Sequence, residues 1–271
     1  MIIPDDLVLA GLGLLVGSFG TLIGAGGGFL LVPIFVLGYG FPPTDAVGTS
    51  LALVFLNALS GTVAYLRQRR VDLALGWKFA VATIPGAIAG AYVNRGLTSY
   101  VFSLGFGLAL IVIAALLLVG KTAAPSHRAQ VRTIVDASGE SHVYHVDAWK
   151  GVVVSFAVGV FSSLFGIGGG IIHVPFLIVA LSLPVHVATA TSHFVLSISS
   201  LVGAGTFSLL GHVRMRTVAV MGIGILVGAQ IGARASLRAG PRLIRLILAG
   251  MLSLVGLRMI LNALVHHWGS R

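Results

Sequence analysis

Two glycine-rich clusters in apolar surroundings are the first candidates for ligand binding in this chain. Residues 24–28 read Gly-Ala-Gly-Gly-Gly and precede Pro33, and residues 166–170 read Gly-Ile-Gly-Gly-Gly and precede Pro175. Glycine leaves backbone N–H groups open to a ligand, and a helix that starts after the cluster presents the positive end of its dipole. These features predict an anion site whose glycines are Gly24, Gly26, Gly27, Gly28, Gly166, Gly168, Gly169 and Gly170.

Two Thr-Ser pairs follow the glycine clusters, and their hydroxyl groups are candidate donors to the same anion. The pairs are Thr49-Ser50 and Thr191-Ser192, near the starts of the next helices. Hydroxyls bind anion oxygens without burying a charge. The alternative is that they bond to backbone carbonyls, as Ser and Thr often do in helices. No carboxylate stands near either cluster to hold a cation, so the predicted ligand is a small oxyanion.

Two histidines lie beside these motifs in the second half of the chain and have apolar counterparts in the first half. His173 corresponds to Leu31, and His193 corresponds to Leu51. A titratable group within a membrane segment is a functional candidate. Protonation would place a positive charge beside the anion and would couple transport to protons. The alternative is that each histidine is a neutral hydrogen-bonding group.

Four further residues complete the candidate set. Asn57 and Gln230 are polar residues within apolar segments. Pro33 and Pro175 follow the glycine clusters and are candidate hinges. The sequence predicts no catalytic residue, no cofactor and no metal site, and the chain contains no cysteine that could supply a thiolate ligand.

The composition predicts an all-α polytopic integral membrane protein. Only 9% of the residues are charged, 57% are hydrophobic, and the mean hydropathy is +1.04. No Asp, Glu, Lys or Arg occurs between Asp6 and Asp45 or between Lys150 and Arg214. These stretches exceed the ~20 apolar residues that cross a bilayer core. The net charge of +10 indicates membrane topology rather than nucleic-acid binding, because the basic residues cluster at the ends of apolar segments.

The two glycine clusters belong to a longer internal similarity. Residues 16–33 and 158–175 align without a gap at an offset of 142 and are identical at 10 of 18 positions. The Thr-Ser pairs keep the same offset, which predicts an internal duplication. We expect two homologous repeats, residues 1–120 and 149–271, joined by a polar linker at 121–148 that contains a small hairpin or is mobile. Each repeat is predicted to hold one glycine-broken helix and three further membrane helices, giving 8–10 membrane segments.

Basic residues favour opposite orientations for the two repeats. In the first half they cluster at 67–78, and in the second half they cluster one loop later, at 234–245. Because corresponding loops of parallel repeats should carry similar charge, we expect an inverted repeat. A parallel arrangement with eight crossings gives the same balance of basic residues and stays open as an alternative.

The duplicated motifs resemble those of the sulfite exporter (TauE/SafE) family. The similarity covers both halves and rests on the glycine clusters, the downstream prolines and the Thr-Ser pairs. It implies about eight membrane spans and a bacterial inner-membrane permease for sulfite, sulfonates or related organosulfur anions, exporting in some members and importing in others. By motif, the site would include both glycine clusters and both Thr-Ser pairs. His173 and His193 are not part of the family pattern.

The sequence therefore predicts a secondary transporter for a small sulfur-containing anion, and not an enzyme. The expected partners are the anion, the lipid bilayer and, through the histidines, protons. Two alternatives stay open. One is an intramembrane hydrolase that uses Ser192 or Ser50 with a histidine, and the other is a membrane assembly or scaffold protein without transport activity. Unwound glycines in corresponding positions of two repeats favour the transporter.

Overall fold

The computed structural model describes residues 4–119, 130–237 and 240–269, so residues 121–129 of the predicted linker lie outside the described residues. Within these ranges the chain forms helices and one hairpin. In chain order they are α1 (Pro4–Ile23), α2 (Gly28–Pro33, continued by a π-helical turn at Ile34–Gly38), α3 (Pro43–Arg67), α4 (Leu73–Arg95), α5 (Ser99–Val119), β1 (Gln130–Val135), β2 (Ser141–Val146), α6 (Ala148–Phe165), α7 (Gly170–Val179), α8 (Val185–Leu209), α9 (Met215–Ala235) and α10 (Pro241–Gly269).

Eight of these helices are long and apolar enough to cross a membrane, and the exceptions are α2 and α7. This confirms the predicted all-α polytopic class, at the lower limit of the predicted range of segments. The segment from Gly28 to Gly38 spans only about 16 Å at 1.5 Å per residue. Pro33 lies at its π-helical turn, where a missing N–H interrupts the regular ladder. The short helices therefore begin inside the protein, at buried Gly28 and Gly170, and the first of them runs out to the exposed Gly38.

The helices that correspond at the 142-residue offset run in opposite directions where they meet. The bounds of α3, 43–67, become those of α8, 185–209, when 142 is added. Gly48 near the start of α3 packs against His212 beyond the end of α8, whereas Gly61 near the end of α3 packs against His193. The two helices are therefore antiparallel. This geometry favours the inverted arrangement over the parallel one, and the duplication itself stays a prediction.

Glycines allow the long helices to approach each other closely. A Cβ added to Gly228 of α9 would overlap the carbonyl oxygen of Leu14 in α1, and a Cβ on Gly86 of α4 would overlap that of Phe156 in α6. Such small-residue contacts are typical of helices packed in lipid. The pairs α1–α9 and α6–α4 occupy corresponding places in the two halves.

The hairpin lies within the predicted linker and packs against the connection between α3 and α4. Its strands pair antiparallel from Gln130–Val146 to Val135–Ser141. The backbone N–H of Ala137 in its turn donates to the Gln68 carbonyl at 3.0 Å. Buried Asp72 holds both strands, because its carboxylate pairs with Arg132 (Nε–Oδ2, 2.7 Å) and accepts from the Tyr144 hydroxyl (2.8 Å).

Candidate functional site

The two glycine clusters lie directly against each other in the middle of the helix assembly. A Cβ added to Gly28 would overlap the carbonyl oxygen of Gly166, and one added to Gly170 would overlap the carbonyl oxygen of Gly24. The backbones of the two halves are thus in contact, which only glycine permits at these positions. The structure therefore brings together the two clusters that lie 142 residues apart in the sequence.

Positive φ angles make the chain turn sharply within each cluster. Gly27 immediately before α2 and Gly169 immediately before α7 have φ angles of 82° and 80°. L-residues with side chains rarely adopt such angles, so the clusters require glycine for conformation as well as for space. The side chains of Val54 and Leu196, which correspond at the 142-residue offset, both contact Gly26 and Gly168.

A small void lies beside the second glycine cluster. In this conformation the space among its lining atoms is too narrow for a water molecule, so a ligand would have to widen it. The polar groups that line it are Thr83, Gly168, Gly169, Gly170, His173, Ser192 and Ser199. Within the described residues, the hydroxyls of Ser192 and Ser199 and the Nδ1 atom of His173 are buried without a hydrogen-bond partner. Buried polar atoms are normally paired, so this void has the unsatisfied donors and acceptors expected of a ligand site.

The equivalent region of the first half is closed by side-chain hydrogen bonds. Asn57 donates from Nδ2 to the Gly26 carbonyl at 2.9 Å, and its Oδ1 accepts from the Thr21 hydroxyl. At the 142-residue offset Ser199 and Ser163 replace Asn57 and Thr21. These shorter side chains do not reach the same partners, because their hydroxyls are both unpaired in the described part of the chain. The unpaired hydroxyls thus lie in the second half of the chain, at positions where the first half has hydrogen-bonded side chains.

His173 faces the void. His173 is only 1% exposed, and its ring packs edge-on against the Phe79 ring with the centroids 5.7 Å apart. Nε2 lies 3.2 Å from the Ser155 hydroxyl, which leaves Nδ1 for another partner. The donor and acceptor roles at Nε2 depend on the tautomer. Because the Ser155 hydroxyl already donates to the Gly151 carbonyl at 2.6 Å, Nε2 donates to Ser155, and Nδ1 is an acceptor in the neutral ring and a donor when the ring is protonated.

His193 does not line the void. It is fully buried, packs edge-on against Tyr65 (centroids 5.5 Å apart), and lies against Gly61. Neither ring nitrogen has a hydrogen-bond partner among residues 4–119, 130–237 and 240–269. The two predicted histidines therefore occupy separate surroundings, and only His173 belongs to the site beside the second glycine cluster.

The Thr-Ser pairs divide into different roles. The Ser50 hydroxyl donates to the Gly166 carbonyl at 2.8 Å, whereas Ser192 faces the void. Thr49 Oγ1 accepts from the backbone N–H of Arg214, and Thr191 Oγ1 accepts from that of Asp72, both at 3.0 Å. The threonines thus link each helix to the start of a helix from the opposite half. Donation from them to an anion stays a prediction.

The remaining candidates also hold helices in place. Gln230 donates from Nε2 to the backbone oxygen of Ser60 at 2.8 Å and to its hydroxyl at 2.9 Å, which joins α9 to α3. Pro33 ends α2 and Pro175 lies within α7, and their hinge role stays a prediction. The sequence did not predict Thr83, Ser155 or Ser199 as residues of the site. Comparing the halves residue by residue would have singled out Ser199, since a serine there replaces a larger amide.

Three residues in and beside the hairpin turn have the ligand types of a metal site. The ligand atoms of Asp136, Glu140 and His142 lie within 4.8 Å of one another. However, Asp136 Oδ2 already lies 3.6 Å from Arg70 and 3.5 Å from His142 Nε2, and Glu140 is exposed. A neighbouring guanidinium disfavours a cation, so we interpret the group as an ion-pair network.

The sequence of the chain was compared with known families and proteins. A profile of the sulfite exporter TauE/SafE family matches residues 9–259. The probable membrane transporter protein YunE of Bacillus subtilis is 34% identical over 264 residues, which cover 94% of this chain and 97% of the relative. The probable membrane transporter protein MJ0441 of Methanocaldococcus jannaschii is 29% identical over 268 residues, which cover 92% and 93%. No solved structure matches the chain.

The fold and these similarities agree. The relatives are named as membrane transporters, which confirms the prediction that the protein is not an enzyme and opposes the hydrolase alternative. A multi-pass protein with eight membrane-length helices and a match over nearly its whole length is a transporter that handles a small substrate in a lipid bilayer. The chain belongs to the sulfite exporter TauE/SafE family.

Proposed function

We propose that this transporter is a secondary permease that moves a small sulfur oxyanion, such as sulfite or an organosulfonate, across the bacterial inner membrane. The anion would bind in the void beside Gly168–Gly170 of the second glycine cluster. The observation that carries this proposal is the group of buried, unpaired polar atoms on His173, Ser192 and Ser199 around that void.

The chemistry of the void favours an anion over a cation. The Ser192 and Ser199 hydroxyls can donate hydrogen bonds, as can His173 when it is protonated, and α7 begins at Gly170 with the positive end of its dipole at the void. No carboxylate occurs between Lys150 and Arg214 to compete for these donors or to attract a cation. Leaving a buried polar group unpaired costs about 1–3 kcal/mol, which a bound oxyanion would recover.

The direction of transport depends on what moves with the anion. With a negative cell interior, moving one negative charge outward gains about 2.3 kcal/mol per 100 mV, so export needs no coupling ion. Import opposes this term and needs protons or another cation. His173, beside the void, is placed to contact the anion, and His193, with two unpaired ring nitrogens, is placed to hold a proton.

Alternating access would require the contacts over the glycine clusters to open in turn. Val54 and Leu196 cover both clusters. The short helices α2 and α7 begin at buried glycines and carry the prolines, so they can move without displacing a full membrane helix. Rocking of inverted halves around a central site is a common transporter mechanism.

Flux into proteoliposomes tests the proposed substrate class. Purified protein should catalyse saturable uptake of labelled sulfite or of a small sulfonate such as methanesulfonate, above the rate in protein-free vesicles. An imposed potential, positive inside, should accelerate entry of the anion. Movement of none of the sulfur oxyanions or sulfonates under any pH gradient or potential would contradict the proposal.

A further inference from the structure

A second cavity lies under the hairpin, at the end of the molecule where α3 meets α8 and α9. Its empty volume is about 240 Å³. We call it the vestibule, and six of the residues that line it are Leu22, Tyr65, Arg70, His186, Thr189 and Ser236. In this conformation it has room for about one water molecule, so side chains would have to shift to admit a larger ligand.

Arg70 is a buried cation in the vestibule with spare hydrogen-bonding capacity. The residue is only 8% exposed. Its one ion pair in the described structure is a long contact from NH2 to Asp136 Oδ2 of the hairpin turn, at 3.6 Å, and NH1 is buried without a hydrogen-bond partner. A guanidinium carries five donors in a planar fork that matches an oxyanion. An exposed arginine would satisfy these donors with water, which a buried one cannot do.

The Asp136 carboxylate is bound from both sides. The Ser138 hydroxyl, together with the N–H groups of Glu140 and Ser138, donates to its Oδ1 atom. These bonds hold the pKa of Asp136 well below its usual range, so it is ionised at neutral pH. Oδ2 remains to face Arg70 and His142. The hairpin thus supplies an internal counterion to the guanidinium.

The vestibule leads to the first glycine cluster. A Cβ added to Gly24 would lie 2.7 Å from the Thr189 side chain, which lines the vestibule. Tyr65 also lines it, donates to the Thr21 backbone oxygen at 2.7 Å and packs against His193. Thr189 therefore lies both at the vestibule and against the first glycine cluster.

The opposite end of the molecule has different residues at the equivalent positions. At the 142-residue offset, Tyr65 and Thr189 correspond to Phe207 and Val47, which are both fully buried. Arg70 corresponds to His212, which is paired with Asp45 at 2.9 Å. Apolar side chains thus replace Tyr65 and Thr189 there, and the residue that replaces Arg70 already has a carboxylate partner.

Basic residues around the vestibule indicate which side of the membrane it faces. Arg67, Arg69 and Arg70 lie at its end of the molecule, and a bond from Gln68 Nε2 to the Ala233 carbonyl (3.3 Å) places Arg234 there too. The positive-inside rule predicts that this end faces the cytoplasm. The vestibule is then on the side from which an exporter takes its substrate.

We propose that Arg70 forms the cytoplasmic entry site of this transporter, where a small oxyanion displaces the Asp136 carboxylate before it passes to the glycine clusters. This inference rests on the proposed function for its substrate class. It adds Arg70 as a binding residue and Asp136 as a carboxylate that competes with the anion. It also assigns the vestibule to the cytoplasmic end of the transport path.

Two variants with opposite expected effects test the entry site. Arg70→Gln removes the charge and should raise the KM for sulfite taken up from the vestibule side about tenfold, while leaving kcat within about twofold. Asp136→Asn keeps the Oδ1 acceptor of the turn but removes the competing charge, so KM should fall. Arg67→Gln removes an exposed arginine from the same end of α3 and is the matched control, with no change in KM expected.

A binding measurement separates this inference from the proposed function. Sulfite and sulfate should raise the Tm of the wild-type protein in detergent, because a ligand that binds the folded state stabilises it. The rise should be smaller in Arg70→Gln than in Arg67→Gln. Flux without any effect of Arg70→Gln on KM would overturn the entry site and leave the permease intact. Anion stabilisation that depends on Arg70, without flux of any sulfur anion, would overturn the permease instead. A wild-type protein that no oxyanion stabilises overturns the entry site in either case.

Discussion

Single residues distinguish the two halves of this protein, although helices such as α3 and α8 have corresponding bounds in both. Where the first half has Asn57 bonded to a glycine carbonyl, the second has Ser199 and a void. Where the first half has Leu31 and Leu51, the second has two buried histidines. The predicted function depends on these departures from symmetry, since a fully symmetric core would satisfy its own hydrogen bonds.

The histidines are expected to differ in their effects on transport. His173→Leu, which copies the first half, should lower sulfite flux at every pH, because it removes a group that lines the void. His193→Leu should leave flux driven by potential but abolish its dependence on a pH gradient. Uptake should be faster with the acidic side outside, since protonation adds positive charge that favours the anion.

Measuring flux across a series of imposed pH gradients checks this assignment. A wild-type protein that responds to potential alone would contradict proton coupling and would reduce His193 to a structural group. Equal responses of the two variants would contradict the division of roles between the histidines.

At the scale of elements, the breaks in α1–α2 and α6–α7 are fixed by contact between the two halves. The glycine clusters, the downstream prolines and the register of the Thr-Ser pairs were predictable, because they are local patterns repeated at one offset. The partners of Thr49 and Thr191 were not, because each accepts a bond from a backbone N–H in the other half. The void at Ser199 could not be predicted either, because it depends on how side chains of the two halves pack together.

Gly28→Ala should disrupt this contact. The added methyl group would overlap the Gly166 carbonyl and the Ile167 backbone, so overpacking should lower the stability by at least about 1–3 kcal/mol. Gly205→Ala on α8 is the matched control, because a Cβ there meets nothing within 4 Å. It should be neutral or stabilise the helix by up to about 1 kcal/mol. Thermal unfolding in detergent measures both, and equal Tm values for the two variants would contradict the direct contact of the clusters.

The hairpin should detach when its anchor is removed. Asp72→Asn places an amide where the carboxylate pairs with Arg132 and Tyr144, which should cost about 2 kcal/mol locally. Limited proteolysis should then cut within residues 130–146 faster than in the wild type. Asp45→Asn, which removes a paired carboxylate from the opposite end of the molecule, should leave that cleavage unchanged. Protection of the hairpin in Asp72→Asn would show that Asp72 does not hold it.

For the whole molecule, the antiparallel contact of α3 with α8 determines the topology. The sequence predicted a membrane protein with 8–10 segments from charge-free stretches, and it favoured inversion from the distribution of basic residues alone. It could not determine whether each broken segment crosses the membrane, because length and hydropathy do not show where a short helix ends. The described structure has eight long helices and two short ones that begin at buried glycines.

Cysteine labelling tests this topology in a chain that has no native cysteine. Ala137→Cys in the exposed hairpin turn should react only with reagents that reach the cytoplasm. Ser99→Cys, at the exposed turn between α4 and α5, should react with impermeant reagents added outside. Labelling of both positions from the same side would contradict the arrangement of the helices.

The central claim is that an oxyanion binds in the void beside the second glycine cluster, and sulfite counterflow in Ser192 variants tests it most directly. Ser192→Ala removes an unpaired hydroxyl from the void and should reduce the rate of counterflow at low sulfite about tenfold or more. Ser200→Ala removes a hydroxyl of the same helix that bonds to the Leu196 carbonyl and should change little. Equal counterflow in Ser192→Ala and the wild type would place the anion elsewhere and contradict the account.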